Sequence, residues 1–183
     1  MNPVEIPLSK IKIFLGIVGS ILFVVLGICL FLFLADHQTR FNPVFVKGIG
    51  IAGVVFFGMT GIYGIKKWFD KTIGLIINKE GIIDNTNASS VGLIKWTDII
   101  EVKTENVSST KFILIYTSNP DFYLSKVKGF KRKLMEGNNK MYGTPLSITS
   151  STLKCKFDYL EKLIYDRFNE SKRNRNNNND RRL

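Results

Sequence analysis

The chain has 183 residues, of which 45% are hydrophobic, and it carries a formal net charge of +11 at pH 7. Two cysteines far apart in the sequence and a single histidine exclude a disulfide framework and a zinc site built on Cys and His ligands. The basic balance suits a negatively charged partner such as membrane lipids. A nucleic acid is not expected, because the chain has no recognisable nucleic-acid-binding motif.

Two long apolar segments near the start of the chain predict a pair of membrane spans. The first, residues 13–35, holds about 23 residues without a formal charge, which is enough to cross a hydrocarbon core about 30 Å thick. The second, residues 48–65, reaches a spanning length when it is extended back to Val44, which gives a span of about 44–65. We therefore assign residues 1–71 to an N-terminal membrane hairpin.

The charges that flank the spans predict the orientation of this hairpin. Five lysines stand just outside the spans on the side of the chain termini: Lys10, Lys12, Lys66, Lys67 and Lys71. The connection between the spans holds only Arg40, and Lys47 lies close to the start of the second span. By the positive-inside rule, both termini face the cytoplasm, and we expect a multi-pass protein of the inner (cytoplasmic) membrane.

Small residues recur at spacings of three and four in both spans and predict the faces on which the helices pack. They are Gly50, Gly53, Gly61 and Gly64 in the second span, with Gly16, Ser20 and Gly27 in the first. Small residues let helix backbones approach closely in lipid, and the short connection favours packing within one chain, with a homo-oligomer as the alternative. Neither span holds an acid, a His or an Arg, so the hairpin is expected to be an anchor rather than a transport path.

From Gly74 onward the pattern changes to short β-type segments. Five antiparallel strands are predicted, with a sixth late in the chain: 74–78, 82–85, 91–96, 99–103, 112–117 and 145–149. We expect residues 72–170 to form one compact cytoplasmic domain.

Two helices are predicted in this domain. The first begins at Pro120 and closes at Gly137, and Gly129 is expected to shorten or break it. Its apolar stripe consists of Tyr123, Val127, Phe130 and Leu134. The last helix presents Phe157, Leu160, Ile164 and Phe168 on one face. Residues 171–183 form a basic, Asn-rich tail that we predict to be disordered.

The order of these elements and three short motifs resemble bacterial pleckstrin-homology-like domains. The motifs are Gly74-Leu75-Ile76-Ile77, Gly81-Ile82-Ile83-Asp84 and Trp96-Thr97-Asp98-Ile99. From about residue 5 to 168, the chain resembles an uncharacterised family of small bacterial membrane proteins with two transmembrane helices followed by such a domain. The resemblance implies a bent, mainly-β barrel of seven strands with one open end closed by the C-terminal helix, and it implies no reaction.

Specific phosphoinositide recognition is not expected, because the first hairpin, residues 78–81, carries one Lys beside a Glu rather than several basic residues. The single histidine, His37, lies between the spans, which excludes His-dependent catalysis in the domain. Asp84, Asp98 and Glu101 are the nearest approach to paired carboxylates, and the strand-end and turn-like positions of the two aspartates favour solvated structural residues. No catalytic residue, cofactor or metal is therefore predicted.

One basic cluster surrounds Phe130, and it consists of Lys126, Lys128, Lys131, Arg132 and Lys133. It has three interpretations: a solvated charged face, a surface for anionic lipid headgroups, or a docking site for a cytoplasmic protein. The function that we predict is a membrane-anchored, non-catalytic binding module. A self-associating membrane scaffold is the alternative, and an enzyme with a pocket at the open end of the barrel is a weaker one.

Overall fold

Residues 2–107 and 110–180 are described by the computed structural model, in which the chain divides into two units. The helical unit is Ser9–Lys71, and the β-rich unit combines Met1–Leu8 with Thr72–Leu183. The predicted extent of the helical hairpin, residues 1–71, is therefore corrected at its start. Residues 1–8 do not belong to the helical unit, because they supply a strand to the β-rich one.

The helical unit consists of two long antiparallel helices. The first runs without interruption over Lys10–His37, as α1 (Lys10–Cys29), a π-helical turn (Leu30–Leu34) and α2 (Ala35–His37), and the second is α3 (Pro43–Phe69). The side chain of Ser9 accepts the N–H of Lys12 at the start of α1, and Asn42 caps α3 ahead of Pro43. With 28 and 27 residues, both helices are long and apolar enough to cross a membrane.

Close backbone approach between α1 and α3 occurs at Gly27 and Gly50. A Cβ atom added at Gly50 would lie 2.8 Å from the Gly27 carbonyl oxygen, and one at Gly64 would lie 2.9 Å from Cγ1 of Ile17. Ser20 lies 3.3 Å from the hydroxyl of Thr60 and packs near Gly61, where an added Cβ would be 3.4 Å from Ser20 Cβ. Gly50, Gly61, Gly64 and Ser20 thus line the contact between the two helices.

Two residues of the predicted packing face lie off this contact. A Cβ atom added at Gly16 or Gly53 would meet nothing within 4 Å. The Cα–H positions of Gly16 and Gly53 therefore do not face the partner helix at close range, although their spacing matches that of the contact residues. The prediction is corrected for these two positions.

The first sheet has four antiparallel strands in the order β1 (Val4–Ile6), β2 (Leu75–Ile77), β3 (Gly81–Asp84) and β4 (Gly92–Lys95). The side chain of Asn78 accepts the N–H groups of Glu80 and Gly81 and so closes the β2–β3 turn. Gly81 is required there, because an added Cβ would lie 2.0 Å from the carbonyl oxygen of Ile94.

The second sheet has three antiparallel strands in the order β5 (Ile99–Val107), β6 (Thr110–Thr117) and β7 (Leu146–Ile148). Within the described ranges, no ladder joins β4 to β5, so the seven strands form two sheets and not one closed barrel. The predicted antiparallel strands are confirmed. The seventh strand, which the resemblance implied without locating it, is β1, and it was missed because it precedes the two long helices in the sequence.

Three helices complete the β-rich unit: α4 (Pro120–Ser125), α5 (Gly129–Tyr142) and α6 (Phe157–Asp180). The expected break of the predicted 120–137 helix at Gly129 is confirmed, whereas its predicted end at Gly137 is wrong. Gly129, with φ of +61°, restarts the chain in a new helix, and Gly137 lies inside α5. The true C-cap is Gly143, with φ of +75°, whose N–H bonds to the carbonyl of Asn139.

The core joins both sheets to α6, and its fully buried side chains include Ile77, Ile82, Ile113, Ile115, Leu160 and Ile164. Helix α6 is also fixed by polar contacts, since Tyr165 donates to the Val102 carbonyl at 2.9 Å. It continues through residues 171–180, which we predicted as disordered. Arg175 accounts for this difference, because its guanidinium donates to the Trp96 carbonyl at 2.6 Å.

Candidate functional site

The basic cluster lies at the corner between α4 and α5. Helix α4 ends at Ser125, Lys128 adopts an extended conformation, and α5 begins at Gly129. Asn119 and Pro120 start α4 with a side-chain cap and a first-turn proline, which fixes the short helix that leads into the corner. The sequence therefore places several cations on a bend rather than along one straight helix.

The apolar side chains at this corner separate into buried and exposed groups. Tyr123 and Val127 belong to the core, and in α5 the fully buried position is taken by Met135. Phe130 is 69% exposed, and Phe122 is 42% exposed. The predicted stripe is thus wrong at Phe130, because the break before Gly129 turns α5 so that Phe130 faces away from the core.

The five predicted cations have different surroundings. The ammonium of Lys126 lies over two rings, 4.2 Å from the centroid of Phe122 and 4.9 Å from that of Tyr123. Arg132 pairs with Glu136 across 2.7 Å, so its charge is partly compensated. In the part of the chain that the structure describes, Lys128, Lys131 and Lys133 form no ion pair, and only Lys131 is half-buried.

This arrangement defines a surface that we call the aromatic-basic corner, consisting of Phe122, Lys126, Lys128, Phe130, Lys131, Arg132 and Lys133. Exposed aromatic rings beside uncompensated lysines combine apolar area with positive charge. That combination suits the boundary between lipid headgroups and acyl chains, where rings are buried and cations face phosphates. Sequence reasoning identified the cations but placed Phe130 on one apolar stripe with the buried Tyr123 and Val127. The one available signal was Gly129 directly before it.

The three carboxylates considered above are held apart in separate hydrogen-bonding roles. Asp98 accepts from the Tyr123 phenol at 2.8 Å and from the Thr97 hydroxyl at 2.9 Å. Asp84 is buried, not solvated as predicted, and accepts the N–H of Thr86 at 2.9 Å. Glu101 pairs with Lys103 at 3.0 Å, and this hydrogen bond raises the pKa of the Lys103 ammonium. They do not form a paired acid and base.

The described residues contain no group of three or more His, Cys, Asp or Glu side chains that could hold a metal ion. Within the described residues, no disulfide joins Cys29 and Cys155. They belong to different units of the chain, in α1 and ahead of α6 respectively.

No family model, curated protein or solved structure matches the chain. The structure itself defines the architecture: an apolar helical hairpin placed in the sequence between β1 and β2 of a two-sheet domain that ends in a long helix.

Proposed function

We propose that the chain is a membrane-anchored, non-catalytic binding module, whose pleckstrin-homology-like domain faces the cytoplasm and contacts anionic lipid headgroups through the aromatic-basic corner. The anchor is the pair of long apolar helices. Seven antiparallel strands in two sheets, followed by a C-terminal helix, support the pleckstrin-homology-like assignment.

The pairing of β1 with β2 supports an even number of membrane crossings between them. Ile6 pairs with Leu75, and Val4 pairs with Ile77, although both long helices lie between these residues in the sequence. Paired residues must be on one side of a membrane, so both ends of the helical hairpin share that side. The five flanking lysines favour the cytoplasmic side of a bacterial inner membrane.

The observation that carries the lipid proposal is the exposure of Phe130, 69%, between Lys128 and Lys131. With Phe122, which is 42% exposed, Phe130 gives the basic corner an exposed apolar area that insertion among lipid headgroups would cover. Each lysine near an anionic surface contributes about 1 kcal/mol of attraction, so three uncompensated lysines and a ring give reversible contact.

The test uses the full chain, because β1 belongs to the β-rich unit and a domain cut at residue 72 would lack it. The protein is placed in nanodiscs of phosphatidylcholine alone or with about one third phosphatidylglycerol, and hydrogen–deuterium exchange of residues 122–133 is measured. We expect slower exchange in the anionic discs only, by about tenfold at low salt, with the effect reduced at physiological salt.

A matched pair of variants separates this surface from net charge. Lys128, Lys131 and Lys133 are changed to Glu in one variant, and Lys154, Lys156 and Lys162 in the other, so both lose the same charge. The first variant should lose the lipid-dependent protection and the second should keep it. Equal exchange in neutral and anionic discs would rule out lipid contact and leave a cytoplasmic protein as the binding partner.

A further inference from the structure

A second candidate site, with no signal in the sequence, lies between α5 and the outer face of the second sheet. It is a cavity of about 290 Å³, close to the lower limit of about 300 Å³ for small-molecule sites. Its walls are mainly apolar and come from Val107, Phe112 and Leu114 of the sheet and from Leu134 of α5. A volume of this size holds a compact molecule with about one ring.

Hydrogen bonds around the rim keep the cavity formed. Tyr116 donates its hydroxyl to the carbonyl of Tyr142 at 3.0 Å, which fixes the end of α5 to the sheet. Asn87 donates its side-chain amide to the carbonyl of Ser147 at 2.8 Å, which fixes the loop before β4 to β7. A ligand therefore needs no large rearrangement of the walls on binding, and this lowers the entropic cost of binding.

The charge of the lining is opposite to that of the chain. Among the described residues that line the cavity, Glu105 alone is charged, although the chain as a whole has a net charge of +11. Glu105 forms no ion pair within the described ranges. The nearest lysine along its strand, Lys103, pairs with Glu101 at 3.0 Å and lies 5.0 Å from the ring centroid of Tyr116.

We propose that this cavity binds a small organic cation, an ammonium group on a compact apolar body. Glu105 supplies the counter-charge, Phe112 and Tyr142 offer ring faces and edges near the cation, and Leu114 and Leu134 contact the apolar body. Glu105 is exposed at the mouth of the cavity, so its carboxylate attracts a cation and repels an anion, while a neutral ligand gains no such attraction. This site is independent of the aromatic-basic corner.

The test uses the full chain in neutral phosphatidylcholine nanodiscs, with benzylamine as the cationic probe and benzyl alcohol as its neutral counterpart. Binding is measured by calorimetry against empty discs. We expect benzylamine to bind and benzyl alcohol to bind about threefold more weakly. Glu105→Gln should weaken benzylamine binding about threefold, because the attraction between the ammonium and an exposed carboxylate is lost. Ala88→Trp, at an exposed rim position, should block both probes.

The matched control is Glu136→Gln, which removes the same charge from the exposed face of α5, where Glu136 pairs with Arg132. It should leave benzylamine affinity unchanged. The proposal is overturned by any of three results: no signal above empty discs, equal affinity for the two probes, or unchanged benzylamine affinity in Glu105→Gln. None of these results would affect lipid contact at the aromatic-basic corner.

Discussion

The phenol of Tyr123 donates a hydrogen bond to Oδ2 of Asp98 across 2.8 Å and accepts the backbone N–H of Lys95 at 3.3 Å. This contact joins α4 to the turn between β4 and β5. Asp98 is fixed in the same turn, because its N–H bonds to the Lys95 carbonyl at 3.0 Å and its carbonyl accepts the N–H of Ser118 at 2.9 Å. Through these contacts, Asp98 connects α4 to the turn between β4 and β5.

Tyr123→Phe should destabilise the domain by about 1–3 kcal/mol at pH 8, because Asp98 and the Lys95 N–H lose a buried partner. The pH dependence of the free energy of unfolding should also change. Burial first, and then the hydrogen bond to Asp98, raise the pKa of the Tyr123 phenol above its unfolded value of about 10. Because its pKa is higher in the folded state, the contribution of this phenol to the free energy of unfolding is fully present below about pH 10. It is lost as the pH rises towards the folded pKa.

The measurement is urea unfolding of the full chain in detergent between pH 8 and 11. The free energy of unfolding should fall more steeply above pH 10 in the wild type than in Tyr123→Phe. Tyr159→Phe serves as the control, since Tyr159 is 55% exposed, and it should follow the wild-type curve. Parallel curves for the wild type and Tyr123→Phe would contradict the prediction.

Substitution by alanine should have different effects on stability at two glycines of α3. Gly50→Ala places a Cβ 2.8 Å from the backbone oxygen of Gly27, so the helices must separate, at a cost of about 1–3 kcal/mol. Gly53→Ala meets nothing within 4 Å and should be neutral or stabilising by up to about 1 kcal/mol through helix propensity. Thermal unfolding in one detergent gives the comparison, and equal melting temperatures would refute the crossing at Gly27.

Arg175→Gln should loosen the end of α6. The wild-type guanidinium donates to the carbonyls of Trp96 and Thr97, at 2.6 and 3.5 Å, and we expect its loss to cost about 1 kcal/mol. Hydrogen–deuterium exchange after Phe168 should become faster. Arg173→Gln is the matched control, because Arg173 is exposed on the same helix. If both variants exchange alike, Arg175 does not anchor the helix.

Ile6→Ala should destabilise the β-rich unit by about 2–5 kcal/mol, because Ile6 is a core residue with 4% exposure. Its neighbour Glu5 is exposed on the same strand, so Glu5→Ala should change the stability by less than about 0.5 kcal/mol. Chemical unfolding of the full chain, followed by near-ultraviolet circular dichroism, measures both. A domain that began at residue 72 would be indifferent to Ile6→Ala.

The helical hairpin and most strands could be predicted because their signals are local. Apolar length alone indicates a span, and alternation with turn residues indicates a strand. Strand β1 has no comparable signal, because Val4–Ile6 is only three residues long and its partner, Leu75–Ile77, lies beyond both long helices. Residues 171–180 were wrongly predicted as disordered for a similar reason. Their composition is typical of disorder, whereas the contact that fixes them as a helix joins Arg175 to the carbonyl of Trp96, far away in the sequence.

The two candidate sites also differ in how far the sequence could predict them. The cations of residues 126–133 are visible in the sequence, but the exposure of Phe130 depends on the direction that α5 takes after the helix break at Gly129, which spacing does not reveal. The spacing of three and four continues through the break and imitates one helix. The cavity beside Glu105 had no signal at all, because Asn87, Glu105 and Asn138 are separated in sequence and meet only after the second sheet has formed.

The position of β1 also has a consequence for the biosynthesis of the chain. Ile6 is made before both long helices and has no ladder partner until Leu75 is made, which at about 5–20 residues per second takes on the order of ten seconds. During this interval both long helices are synthesised. In the proposed membrane-spanning arrangement, the β1–β2 ladder can therefore form only in a chain whose two helix ends lie on the same side of the membrane.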